Sequence, residues 1–176
     1  MPYRRLFILV EGDDEERFIQ AVLEPLFLSQ YDHVQVWQYA QETPRKTRNP
    51  IRSIQSMGAD CIFIRDFDRG PCITSIKEAV QKKYGKHINA ESILVVVREI
   101  EGWYAAGINS DAAAEFDIDA LATTDDLTKE QFNQSVPKRF GSSIVFKREV
   151  LKRFDMDTAR RKNKSFAYFH RKYLQS

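Results

Sequence analysis

Apolar positions along this chain fall into two patterns, short unbroken runs and stripes at helical spacing. Residues 6–10, Leu-Phe-Ile-Leu-Val, form the first unbroken run, as expected of a strand buried on both faces. The run ends at Glu11-Gly12. Asp13 is then placed to cap a helix whose apolar residues Phe18, Ala21, Val22 and Leu26 follow a 3–4 spacing. Val34, Val36 and Trp37 mark a second strand. Residues 43–50 are polar, basic and bracketed by prolines, which predicts a loop, and residues 51–57 predict a short helix. A third buried strand spans 61–64 and runs into Arg65-Asp66-Phe67-Asp68-Arg69-Gly70-Pro71. A helix over 73–84 follows, then a fourth buried strand over 93–97 that ends in Arg98-Glu99-Ile100-Glu101. Residues 103–108 continue as a helix.

Strand and helix thus alternate four times, the signature of a parallel sheet with helices on both faces. Beyond residue 109 only helical stripes remain, near 112–121, 129–135, 144–154 and 164–174. The expected fold is an α/β core over residues 1–109, with a mainly parallel four-stranded sheet of order 2-1-3-4. A helical C-terminal extension over 110–176 packs on it. No internal repeat or low-complexity segment interrupts this plan.

At 176 residues, 43% hydrophobic, the chain has enough apolar material for a sizeable core. No run of about 18 apolar residues exists, so no membrane partner is expected. The first apolar run is too short for a signal peptide and lacks a cleavage site, which points to the cytoplasm. Cys61 and Cys72 fit no zinc spacing; Cys61 reads as core, and Cys72 lies beside the acidic motif. The net charge of +2 hides an asymmetry: residues 138–176 carry 12 basic and 3 acidic residues, against 15 and 22 in the rest. That division suggests either a polyanion contact or a solvated basic helix.

Acids close three of the four predicted strands: Glu11 the first, Asp66 and Asp68 the third, Glu99 and Glu101 the fourth. In open parallel sheets functional groups collect at the carboxyl ends of strands, near the point where strand order reverses. With order 2-1-3-4, Glu11 and Asp66 end strands about 5 Å apart. Carboxylates gathered in one crevice repel one another, and a divalent cation removes that penalty. Oxygen donors without nearby His or Cys favour Mg²⁺ or Mn²⁺ over zinc, and Mg²⁺ so held completes its shell with water and substrate phosphate. Each acid also has a plainer reading. Glu11, Asp13, Asp14, Glu99 and Glu101 all stand where a helix N-terminus welcomes negative charge, and Asp-x-Asp is common in turns.

The segment Phe7-Ile8-Leu9-Val10-Glu11-Gly12-Asp13-Asp14-Glu15 resembles the first motif of Toprim domains, a Glu-Gly after a buried strand. Asp66-Phe67-Asp68-Arg69-Gly70 resembles their second, Asp-x-Asp followed by glycine, although only Arg69 stands where two residues are usual. Arg98-Glu99-Ile100-Glu101-Gly102-Trp103-Tyr104 is similar to a stretch in small stand-alone Toprim-like proteins near the overcoming-lysogenization-defect nucleases, some of whose relatives serve in anti-phage systems. The resemblance covers roughly residues 5–100. It implies a Rossmann-like Toprim core and Mg²⁺- or Mn²⁺-dependent cleavage of DNA or RNA in defence or repair. Glu11 would be general acid/base or metal ligand, Asp66 and Asp68 would hold the metal, and Glu99 or Glu101 would complete a second metal position. No Gly-x-x-x-x-Gly-Lys motif is present, so an ATPase, if one is needed, would be a separate partner subunit.

Other readings compete. A phosphorelay receiver needs a lysine at the end of a fifth strand, and none is predicted. A haloacid-dehalogenase phosphatase carries Asp-x-Asp after its first strand rather than its third. A Toprim-like module that binds nucleic acid or protein without catalysis is the main alternative. Nucleic-acid contacts are expected from Arg45, Lys46 and Arg48 on the predicted loop and from Arg160, Arg161, Lys162 and Lys164 near the C-terminus. Lys129 could neutralise a scissile phosphate. Phe166, Phe169 and Tyr173 interleave with bases, as in single-strand grooves, but their 3–4 spacing also fits the buried face of a helix.

Overall fold

The computed structural model describes residues 3–67, 71–86 and 88–175. Four strands form one parallel sheet of order β2-β1-β3-β4: β1 (Arg5–Val10), β2 (His33–Gln38), β3 (Asp60–Asp66) and β4 (Ile93–Val96). β1 is central, with Leu6 opposite both Val34 and Asp60 and Leu9 opposite both Trp37 and Phe63. All four residues of β4 are buried, as the apolar run Ile-Leu-Val-Val requires.

The chain divides into two compact units, residues 1–95 and 96–176. In the first, β1 leads into α1 (Asp13–Phe18), a π-helical turn (Ile19–Leu23) and α2 (Glu24–Phe27). The predicted Asp13 cap shifts by one residue. Gly12 holds the N-cap position without a side-chain bond, and Asp13 through Glu16 place four acids in the first turn, where the helix dipole favours them. The expected loop at 43–50 is instead the start of α3 (Pro44–Ser56). Pro44 sits in the first turn, where a missing N–H costs nothing, and Pro50 is carried inside the helix. Thr47, Ile51 and Ile54 supply its buried face. With α4 (Ile73–Tyr84), α3 covers a core of Leu9, Tyr39, Phe63, Val80, Tyr84 and Ile93. The Tyr39 ring stacks edge-on against Phe63 and Tyr84 at 5.6 and 5.1 Å.

The second unit is helical: α5 (Glu101–Ala106), α6 (Ser110–Phe116), α7 (Lys129–Gln134), α8 (Ser143–Lys152), α9 (Met156–Lys162) and α10 (Lys164–Tyr173). It starts earlier than the expected boundary at residue 109 because α5 packs on α7, α8 and α9. α9 lies where the apolar spacing predicts no helix. It is capped by Asp155, whose carboxylate accepts from Thr158 N at 2.6 Å. Trp103 is fully buried and stacks with Phe166 and Phe169, so those two aromatics of α10 are core. The Trp103 indole N–H donates to Ser165 Oγ, which in turn donates to Asn163 Oδ1. Gly102 is required beside them, because a Cβ there would lie 3.0 Å from Thr124 O and 3.4 Å from Asn163 Nδ2. The Glu-Gly-Trp stretch is therefore, at its Gly and Trp, a packing device. Among the described residues, no helix is long and apolar enough to cross a membrane.

Candidate functional site

In the first unit, three strand ends converge because β1 lies between β2 and β3. Glu11 follows β1, and its two carboxylate oxygens are held separately. Arg65 Nη1 donates to Oε1 at 2.9 Å, and the Asp66 backbone N–H donates to Oε2 at 3.2 Å. Glu11 and Arg65 are 24% and 27% exposed, so the pair is part-buried but open to solvent. Asp66 is half-buried, and its Oδ1 is shielded from solvent. Asp68 lies outside the described residues. The neighbouring acids are engaged locally: Gln38 donates to Asp13 and Glu16, and Arg17 pairs with Asp14 at 2.5 Å.

Tyr39, just past β2, carries no signal in the sequence that would single it out. Its N–H continues the ladder by donating to Val10 O, and its side chain is fully buried. The phenol oxygen makes no hydrogen bond with any described residue. Burial pushes the phenol well above its usual value. The Glu11 charge adds to the rise and Arg65 offsets part of it, so both charged groups lie close to the hydroxyl. Arg65 also escapes sequence reasoning. The available signal is a single base inside an otherwise apolar strand, directly before the acid.

The oxygen donors Glu11 and Asp66 suit a hard divalent cation. Among the described residues, no three His, Cys, Asp or Glu side chains are placed to hold a metal. A fuller donor set therefore depends on Asp68. The Arg65 guanidinium already balances much of the charge on Glu11.

Glu99, Glu101 and Lys129 meet in the second unit. The Lys129 backbone N–H donates to Glu99 Oε2, and Lys129 Nζ stands 3.6 Å from Glu101 Oε1. Glu101 opens α5 with its side chain 2% exposed. Its main partner is Lys147 of α8, equally buried, with Nζ at 2.7 Å. The Lys147 ammonium lies 5.5 Å from the centroids of the Tyr104 and Phe132 rings, a cation–π arrangement. Lys147 shares the helix face of Phe146 and Val150, a charge on an apolar stripe that could have flagged it. The same unit holds a cavity of about 620 Å³ over Ala105, Ile108, Phe132 and Phe146, with Asp119 and Asp126 among its lining.

The basic residues are distributed over both units. In the first, Arg45, Lys46 and Arg48 lie on α3 rather than on a loop. Lys46 pairs with Glu42 at 3.5 Å, and Arg48 donates through Nε and Nη2 to Lys83 O at the end of α4. In the second, Arg160 pairs with Asp157 at 3.5 Å, and Arg161 donates to Thr158 Oγ1. Lys162 donates to Ile108 O at 2.6 Å, and burial lowers its pKa. Lys164 is 92% exposed and pairs with Asp125. Of the cysteines, Cys61 is half-buried, with its thiol pushed up to about 12 by burial. Cys72 is exposed, with its thiol lowered by hydrogen bonding to Ser75.

No protein-family model matches this chain, and neither a curated protein nor a solved structure does.

Proposed function

We propose that this protein is a Toprim-like, Mg²⁺- or Mn²⁺-dependent phosphodiesterase acting on nucleic acid, with its site at the carboxyl ends of β1 and β3. The observation that supports this most is the Glu11 carboxylate fixed by the Asp66 N–H at 3.2 Å, which sets two acids side by side at adjacent strand ends. Glu11 and Asp66, with Asp68, would hold the cation, and the cation would supply charge neutralisation at phosphate and a more acidic bound water. Of the chain's own groups, Glu11 accepts the proton of the attacking water, the Asp66 N–H holds it in that orientation, and Arg65 contributes positive charge beside it.

The test is cleavage of single- and double-stranded DNA and RNA with each metal, comparing wild type with Glu11→Gln. Loss of a general base lowers the rate by about 10²–10⁴. Equal cleavage by both proteins would remove Glu11 from the mechanism.

A second reading is a Toprim-like module that binds nucleic acid or a partner protein without catalysis. It draws on the 2.9 Å ion pair between Arg65 and Glu11, which already compensates the carboxylate. Binding without cleavage under every metal condition would favour it.

A further inference from the structure

We infer that Arg65 is the phosphate-anchoring residue of this site and that its ion pair with Glu11 is a latch, released when a nucleic-acid phosphate takes the guanidinium. The inference rests on the nucleic-acid reading above and adds a ligand-binding group and a means of regulation to it.

Three features carry it. Arg65 is a part-exposed guanidinium at a strand end, and its bond to Glu11 runs from Nη1 to Oε1. A planar guanidinium is well suited to phosphate, and a phosphate oxyanion can compete for it. Glu11 would not be left adrift on release, because Oε2 is held independently by the Asp66 N–H. Finally, the Tyr39 hydroxyl is fully buried close to both charges; it makes no well-formed hydrogen bond with a described residue, and Arg65 is a group that comes within hydrogen-bonding influence of it. A buried donor without a partner is costly, and native structures retain few of them. In this inference the Tyr39 O–H takes the place of Arg65 as a donor to the Glu11 carboxylate once the guanidinium leaves it. The order β2-β1-β3 is what brings Tyr39, Glu11 and Arg65 together, one from each strand end. In the resting arrangement Arg65 occupies Glu11. In the engaged arrangement Arg65 holds phosphate, while Tyr39 and Asp66 N–H orient the carboxylate. Arg65 touches substrate, and Tyr39 acts through Glu11 as a positioning residue.

The experiment measures binding of a fluorescein-labelled 20-nucleotide single strand, as DNA and as RNA, by anisotropy in chelator. Cleavage of the same strands is followed separately with Mn²⁺. Folding of each variant is checked by circular dichroism. Arg65→Gln is expected to weaken binding about 10- to 100-fold, the scale of a charge-assisted hydrogen bond. Glu11→Gln is expected to strengthen it severalfold, because the latch partner has lost its charge. That gain should vanish in the Arg65→Gln background, since the two residues are coupled. If Arg65→Gln does not fold, Glu11→Gln alone decides: unchanged affinity overturns the latch. Tyr39→Phe should bind as wild type does but cleave with lower kcat at unchanged KM, and an unaltered kcat overturns the positioning role. Additive effects of the Glu11 and Arg65 substitutions overturn the latch even if cleavage persists, which leaves the hydrolase reading standing. Binding that follows the latch pattern with no cleavage under any metal removes the hydrolase reading and keeps the anchor. No binding by wild type in chelator overturns the anchor, and the hydrolase reading falls with it only if Mn²⁺ supports no cleavage either.

Discussion

Glu101 and Lys147 form an ion pair at 2.7 Å in which each side chain is only 2% exposed. The attraction offsets the cost of taking both charges out of water only while both are present. Lys147→Met should therefore destabilise the protein by about 3–5 kcal/mol, because among the described residues it leaves the buried Glu101 carboxylate with the more distant Lys129 to balance it. The double substitution Glu101→Leu/Lys147→Met should recover most of that loss. Urea denaturation of the two singles and the double gives the coupling directly, and additive losses would contradict the pairing.

Gly107→Ala would set a Cβ 2.2 Å from the Phe154 ring, a separation that requires the ring or α5 to shift. The expected loss is about 1–3 kcal/mol, typical of overpacking. Gly107→Ala/Phe154→Leu should be less destabilised than the glycine substitution alone if the ring is the obstacle. Thermal denaturation of the pair checks this.

Asp155 caps α9, and hydrogen bonds from Thr158 hold its carboxyl below the usual value of 3.8. A carboxyl with a depressed folded-state pKa stabilises the fold above its unfolded value, and that contribution is lost as pH falls through the folded one. Asp155→Ala should cost about 1 kcal/mol at neutral pH. The gap between variant and wild type should be constant from pH 7 down to about 4 and close as pH drops below 3.8. A gap that persists undiminished at lower pH would show that the cap does not act through its charge.

Mn²⁺ should raise the melting temperature, since a ligand bound only by the native state adds about 2.7 kcal/mol at 100 times its dissociation constant. Asp66→Asn should abolish the response and chelator should reverse it in wild type. A response of the same size in Asp66→Asn would place the ion elsewhere.

Arg160 and Lys164 are the cleaner probes of the C-terminal basic segment, because Lys162 is committed to Ile108 O and its loss would disturb packing. Arg160→Glu/Lys164→Glu should weaken nucleic-acid binding across sequences. It should also flatten the log–log salt slope by about 0.7 to 0.9 for each phosphate that is no longer neutralised. An unchanged slope in a folded protein would mark these residues as an ordinary solvated face.

The parallel sheet was legible because three of its strands are short apolar runs closed by charge and because strand and helix alternate, and the structure has the order 2-1-3-4 that was expected for it. Prolines mislead at α3: Pro44 and Pro50 read as loop boundaries, whereas one occupies the first turn and the other is tolerated within the helix. Glu11 and Asp66 were readable from their strand ends. Arg65 and Tyr39 were not, because their roles depend on which strands become neighbours, and a lone Arg or Tyr carries no spacing signal. Lys147 could be flagged as a charge on an apolar stripe, but its pairing could not, because Glu101 lies 46 residues away.

The central place of β1 has a consequence for synthesis. β1 pairs with β2 on one side and with β3 on the other. A nascent chain that has just completed β2 can close only one flank of β1. The other flank stays open until the ribosome has added the residues up to Asp66, a few seconds at about 5–20 residues per second. During that interval an apolar strand offers unpaired N–H and C=O groups to any neighbouring chain, and Glu11 has no Arg65 to meet. The site is thus completed only when that flank is closed, so the open edge of β1 is exposed before Glu11 can meet Arg65.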